Sequence, residues 1–378
     1  MKKLIIPIAV VLACLSCAPL PFNLDLSLSA RTARALKLEG TAGPIDKLYS
    51  ISDIVDAVFL PEKGTPGGLD LTNGFVALAS SRGDRRLVSV HWDQTKGMYL
   101  QAGDSMDLGP APMDPYPNRL LVTVKGAQHL VCVFALDSSA PSANQIVLGQ
   151  AEPASGQFPV GTPAAQSLGS LAMIPTGITG DVIGVARYPQ NDPALDYTYW
   201  LFKTPSNHFL ELRAYTPPSY ANPPSGLLTR PGPSAYSLGT GMPFDGLRRG
   251  LYYYDPEPSR APERSYLSWY DQARAQWRCW TWSGPVPFAA TELTGVANRV
   301  DAALTTGELL STEGEMGRLY TRDGVLRTTF PLTGLRFIEE SYVNGQARVL
   351  FSQYLYFNGR PSFNVYSILT TDLHTLGG

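Results

Sequence analysis

Carboxylates are the first source of chemistry in this chain. Glu339 and Glu340 stand side by side in Leu335-Arg-Phe-Ile-Glu-Glu-Ser-Tyr-Val343, a run otherwise apolar enough to be a strand. Neighbouring strand residues face opposite sides, so one of the two must point inward, and an inward carboxylate needs a partner. Arg336 is one such partner. Two carboxylates at the mouth of a channel are also what hydrolysis of a glycosidic bond requires. Asp53 with Asp56, Asp104 with Asp107, and Glu313 with Glu315 lie equally close in sequence, but turns and solvated surface explain such pairs. Aromatic residues are the second resource. Trp269, Trp277, Trp280, Trp282 and Tyr252-Tyr253-Tyr254 gather in one stretch, where core packing competes with stacking on sugar rings or partner side chains. Trp280 and Trp282 share one strand face, and as an exposed pair they form, with Tyr252 and Tyr254, the candidate binding surface. His91, His129, His208 and His374 stand at no chelating spacing from one another. No phosphate-binding loop, nucleophile elbow or zinc-protease motif occurs. No metal and no cofactor is therefore expected.

These residues have to be carried by short strands. From Ile45 onward, β-branched and aromatic runs alternate with Gly, Pro, Asp or Asn breaks, and amphipathic helical periodicity is absent. Ser265 to Gly284 shows the unit best: two aromatic strands around the break Asp-Gln-Ala-Arg-Ala. Trp92-Asp93-Gln94 matches Tyr270-Asp271-Gln272, and an Asp ending one strand recurs at Asp137, Asp323 and, truncated, at Asp372. The pair of strands from Tyr197 to Tyr215 supplies a member without the Asp, which makes six units. Their spacing is close to the blade length of propeller repeats. Runs apolar at every position, such as Leu130 to Leu136, need cover on both faces, and a blade between two neighbours has it. The fold expected is all-β: a β-propeller of about six four-stranded blades. Seven blades or packed β-sandwiches are the alternatives. Pro-rich loops at 151–166 and 216–243 fall between units, although Ala235 to Leu238 also reads as the first strand of the unit that ends at Gly284.

The first seventeen residues read as a leader. Lys2-Lys3 is followed by an apolar run from Leu4 to Ala13 and by small residues before Cys14 and Cys17. A small residue directly before Cys resembles the lipobox of bacterial lipoproteins, and that resemblance implies acylation of Cys17, with Cys14 as the alternative. Neither site has the usual Leu-Ala-Gly-Cys form. Residues 18–44 then read as a tether with a short helix in its second half, and 45–378 as the propeller. Of the remaining cysteines, Cys132 and Cys279 are either a disulfide or two buried thiols.

The formal charge of −2 and the absence of a basic patch argue against nucleic acid. Only 16% of residues are charged, and Gly and Pro number 35 and 32, as suits a turn-rich β protein. The reading drawn from all this is a lipid-anchored protein of the cell envelope, periplasmic or surface-facing, serving as a non-enzymatic platform for an envelope protein or a glycan. The alternative is a propeller hydrolase that cleaves carbohydrate with a carboxylate pair.

Overall fold

The computed structural model describes residues 30–43, the strands from 54 to 255 with the turn 94–97, and then 264–283, 290–343, 346–357 and 360–377. A short helix, α1 (Ala30–Ala35), leads into β1 (Lys37–Ala42). The described strands then fall into six antiparallel groups in chain order. The first is β2 (Ile54–Phe59), β3 (Phe75–Ser81), β4 (Asp84–Asp93) and β5 (Met98–Gln101), with β6 (Met106–Pro110) paired to the other end of β4. The second is β7 (Arg119–Lys125), β8 (Gln128–Ala135), β9 (Gln145–Ala151) and β10 (Ala164–Ser167). The third holds β11 (Ala172–Met173), β12 (Thr179–Arg187), β13 (Thr198–Lys203), β14 (Phe209–Ala214) and β15 (Ala235–Ser237). The fourth is β16 (Leu251–Asp255), β17 (Arg264–Asp271), β18 (Gln276–Ser283) and β19 (Thr291–Glu292). The fifth is β20 (Ala302–Ala303), β21 (Leu309–Ser311), β22 (Met316–Tyr320) and β23 (Leu326–Pro331). In the sixth, β24 (Leu335–Val343), β25 (Gln346–Phe357) and β26 (Arg360–Leu369) take β1 as their outer strand.

Inner strands of neighbouring groups approach one another: β2 meets β7 and β24, and β16 meets β12 and β20. The groups are thus blades set round an axis, and the fold is a β-propeller. Apolar clusters fill the spaces between blades. One joins Phe75, Ala77, Val88 and Val90 of the first blade to Ile338, Leu350 and Phe363 of the sixth. Another joins Leu310, Leu319 and Phe330 of the fifth to Phe351 and Ile368 of the sixth. A third joins Tyr253, Tyr266 and Cys279 of the fourth to Leu309 and Tyr320 of the fifth. With a neighbour on each side, β17 is buried over most of its length, which explains why its sequence does not alternate.

Closure depends on the N-terminal strand, and here the expected tether 18–44 needs correction. Lys37–Ala42 pairs antiparallel with β26 and touches the first blade through one parallel pair, Ala42 with Tyr99. The buried positions of β1 are Gly40 and Ala42, not large apolar residues, so no strand-like signal shows in the sequence. Gly40 is small because a Cβ there would lie 2.7 Å from the Tyr99 ring and 2.8 Å from that of Trp92. The helix expected in the second half of the tether is α1.

The repeat also needs correction. Asp271 closes the turn between the second and third strands of its blade, whereas Asp93 closes the turn between strands β4 and β5, one step later. The two stretches match because the turns share a chemistry. Asp93 Oδ1 accepts hydrogen bonds from the N–H groups of Thr95 and Lys96 at 2.8 and 3.0 Å, and Asp271 Oδ1 accepts from those of Ala273 and Arg274 at 3.1 and 3.3 Å. The fifth residue of each turn is left-handed: Gly97 at φ +61° and Ala275 at +51°. Asp323 does not act this way, because Thr321 Oγ1 takes the Val325 N–H in its turn. Asp372 belongs to a 3-10 helix, Thr370–Leu376, not to a hairpin. Ala235–Ser237 pairs with β14 as the outer strand of the third blade, so it is not the first strand of the fourth. Asp137 and the side chains of Leu130 to Leu136 lie outside the described residues, as does the leader with Cys14 and Cys17. Among the described residues, no helix is long and apolar enough to cross a membrane.

Candidate functional site

In an antiparallel blade, the turn between the second and third strands lies at the same end as the link to the next blade. Call this end the upper one; turns after first and third strands are at the lower end. In the fifth blade the two upper segments are the end of the link, 298–301, and the turn 312–315, and polar residues from both converge at the head of β20, its innermost strand. The link is pinned from the fourth blade, where Tyr253 Oη donates to the Val300 carbonyl at 2.8 Å and Val300 N–H donates to Ser268 Oγ at 3.1 Å. It is pinned within the fifth by the bond from Asp301 N–H to the Leu310 carbonyl at 2.7 Å.

Two carboxylates result, with different surroundings. Asp301 Oδ2 accepts from the Thr312 N–H at 2.6 Å and from Thr312 Oγ1 at 2.8 Å, while Oδ1 accepts from Arg299 Nε at 2.7 Å. Glu313 uses one oxygen only: Oε2 accepts from Asn298 Nδ2 at 3.1 Å and from the Arg299 N–H at 3.4 Å. No hydrogen bond reaches Glu313 Oε1 among the described residues. Tyr320 Oη donates to Asn298 Oδ1 at 3.1 Å, orienting the amide so that its NH₂ faces Glu313, and burial pushes the Tyr320 phenol above its usual value. Burial opposes the charge of Arg299, but Asp301, Tyr253 and Glu313 outweigh it and hold the guanidinium above its ordinary value. The arrangement is thus one carboxylate fixed on both oxygens and one with an oxygen to offer, on either side of a charged Arg. Sequence proximity had coupled Glu313 with Glu315. Its neighbour in space is Asp301, reached through Arg299.

The upper end of the fourth blade is also charged. Arg278 lies over the Trp280 ring, 5.2 Å from its centroid, and contacts Asp271 Oδ2 at 3.3 Å as well as both oxygens of Glu292. These groups neutralise one another.

The other candidates read from sequence lie elsewhere. Glu339 and Glu340 are both buried, 5% and 7% exposed, on the innermost strand of the sixth blade. Glu340 Oε1 accepts from the hydroxyls of Thr305 and Thr370 at 2.6 and 2.8 Å, and Oε2 from the Thr305 N–H at 2.8 Å. Thr305 begins the lower turn of the fifth blade, so Glu340 joins two blades and the C-terminal 3-10 helix at the end opposite Asp301. Trp280 and Trp282 are 6% and 3% exposed, which corrects the expectation of an exposed pair: one face of β18 is covered as fully as the other. The side chains of Tyr252 and Tyr254 lie outside the described residues. Cys279 is a free, fully buried thiol, so the disulfide with Cys132 is not formed; the Cys132 side chain lies outside the described residues. Among the described residues, no cluster of three or more His, Cys, Asp or Glu side chains could hold a metal ion.

No protein-family model and no curated protein sequence matches this chain. Solved structures do. It is similar to an α-L-arabinanase from Penicillium chrysogenum complexed with arabinobiose, at 11% identity and a TM-score of 0.44 over 88% of this chain and 97% of that one. It is similar to the α-L-arabinofuranosidase Arb93A from Fusarium graminearum, at 7% identity and 0.43 over 89% and 99%. A PQQ-bound aldose sugar dehydrogenase from Streptomyces coelicolor gives 12% identity and 0.43 over 88% and 98%. All three are enzymes named for sugar substrates. They count against the expected non-enzymatic platform, which is thereby corrected; the likeness is one of fold and assigns this chain no reaction.

Proposed function

We propose that this protein is a propeller-fold hydrolase acting on carbohydrate, with its reacting carboxylates Glu313 and Asp301 at the upper end of the fifth blade. One observation carries the proposal: at the head of an innermost strand, Glu313 leaves an oxygen open while Asp301 beside it has both oxygens engaged. In glycoside hydrolysis one carboxyl group protonates the departing glycosidic oxygen, and the other stabilises or attacks the sugar carbon or takes a proton from water. Glu313 suits the first task. Its Oε2 is oriented by Asn298 and Arg299, and Oε1 is available for the proton that moves to the leaving group as the C–O bond breaks. Asp301 suits the second, since its two N–H and hydroxyl donors and Arg299 fix its position. Water adds its hydroxyl to the sugar carbon, and its proton passes to the carboxylates, restoring the acid form of Glu313.

The test is release of reducing sugar from neutral polysaccharides and of phenol from aryl glycosides. Wild type should turn over at least one of these substrates, and Glu313→Gln and Asp301→Asn should each lower kcat by roughly a hundredfold or more. Full activity in both variants, or none in wild type on any substrate, would remove the assignment.

Anchoring to the envelope through acylated Cys17, or Cys14, belongs to the same proposal. The basic Lys2-Lys3, the apolar run to Ala13 and the small residues before each Cys support it. Labelling with an alkyne fatty acid should mark the wild-type protein and fail to mark Cys17→Ser. Loss in Cys14→Ser alone would move the anchor to Cys14.

A further inference from the structure

A groove of about 670 Å³ runs between the fourth and fifth blades, walled by β17–β19 and residues 293–295 on one side and by residues 323–326 on the other. Arg264, which begins β17, marks one end of the groove, and Glu292 marks the other, where Arg278 joins it to Asp271 at the upper end of that strand. On the fifth blade the groove is bordered by the turn between β22 and β23, opposite the turn that carries Glu313. None of Asn298, Arg299, Asp301, Thr312 and Glu313 lines it, so it is a separate place from their site.

Its wall chemistry is specific. Arg264 spans the two blades, donating to Asp323 Oδ1 at 2.6 Å and to the Arg322 carbonyl at 2.9 Å. Glu292, the other carboxylate of the lining, is already matched by Arg278. The lining is consequently close to neutral, which gives little attraction to a phosphate or to a strongly charged peptide. Next to Asp323, Val325 and Leu326 are 63% and 49% exposed, although large apolar residues are normally covered. Exposed Thr291 and Thr294 add hydroxyls. Paired charges and hydroxyls that bond OH groups, beside apolar side chains that cover C–H faces, fit one class of ligand: an uncharged sugar chain. The volume lies within the ordinary range of ligand sites.

We infer that this groove is a second carbohydrate-binding site, one that holds a neutral polysaccharide while the upper end acts on it. The inference rests on the reading of the chain as carbohydrate-acting, yet retention and hydrolysis are separately measurable. The full chain is run in native gels containing arabinan, galactan, xylan or mannan, and hydrolysis of small aryl glycosides is followed in parallel. Wild type should be retarded by at least one polysaccharide. Leu326→Ser and Arg264→Ala should weaken retardation tenfold or more and leave aryl-glycoside hydrolysis unchanged, whereas Glu313→Gln should keep the retardation. Leu326 is exposed, so its variant leaves the core intact, and equal thermal melting confirms that for both. Retardation lost in the groove variants without any hydrolysis in wild type would uphold the groove and sink the hydrolase assignment. No retardation in any gel, or retardation untouched by both groove variants, would overturn the inference.

Discussion

Arg278 donates from Nε and Nη2 to the two oxygens of Glu292, each at 2.6 Å, from the strand beside it. This two-pronged bond holds the Glu292 carboxyl below its usual range, with burial working in the other direction. A group depressed on folding contributes stability above its unfolded value, and the contribution is lost as pH falls through the folded one. Urea midpoints should therefore drop between pH 5 and 3 by more in wild type than in Glu292→Gln. At pH 7 the variant should be less stable by about 1–2 kcal/mol. Parallel pH profiles for the two proteins would refute the coupling.

Ala275 occupies a left-handed position that its counterpart Gly97 fills without strain. Ala275→Gly should raise stability by about 1 kcal/mol in chemical denaturation, and Gly97→Ala should lower it by a similar amount. A Cβ on Gly97 meets nothing within 4 Å, so the second effect is a pure backbone cost.

Glu340 is a structural carboxylate. Glu340→Ala leaves the Thr305 N–H and two threonine hydroxyls without their acceptor in a buried place, and should cost about 2–4 kcal/mol. Because it lies at the lower end, kcat per folded molecule should not change. A fall in kcat like that expected of Glu313→Gln would show that the reacting pair has been misplaced.

Burial pushes the Cys279 thiol well above its ordinary value, so the reactive thiolate is scarce at neutral pH. In a Cys132→Ser background lacking the leader, Cys279 should react with a maleimide at least a hundredfold more slowly in the native state than in denaturant. Rapid native labelling would mean that the interface between the fourth and fifth blades opens readily.

Much of the fold is readable locally. The strands 264–271 and 276–283 around their Asp turn, and the strand 335–343, stand in the sequence almost where the structure has them. Their signals, aromatic and β-branched runs between breaks, act over about ten residues. Asp93 and Asp271 show where local signals mislead. The same turn chemistry serves at two different steps of a blade, so identical motifs do not set blade phase.

The site was harder to see for the same reason. Glu339-Glu340 attracts attention because two charges interrupt an apolar run, yet Glu340 is satisfied by hydroxyls 30 and 35 residues away. Asp301 and Glu313 lie in polar links that look like any turn. Nothing in their spacing marks them out, apart from a cluster of side chains able to hold them: Asn298, Arg299 and Thr312.

By itself, the sequence determined that this is an all-β chain of short, sandwiched strands, since turn residues and apolar runs act on their immediate neighbours. Which strands become inner or outer, and which carboxylates share an end of the disc, depended on how the blades close. That closure joins Thr41 to Asn364 across 323 residues, and a strand of small residues completes the last blade only because β26 offers it an unpaired edge. Contacts over that distance reflect the cyclic order of the blades, which no local stretch of residues records.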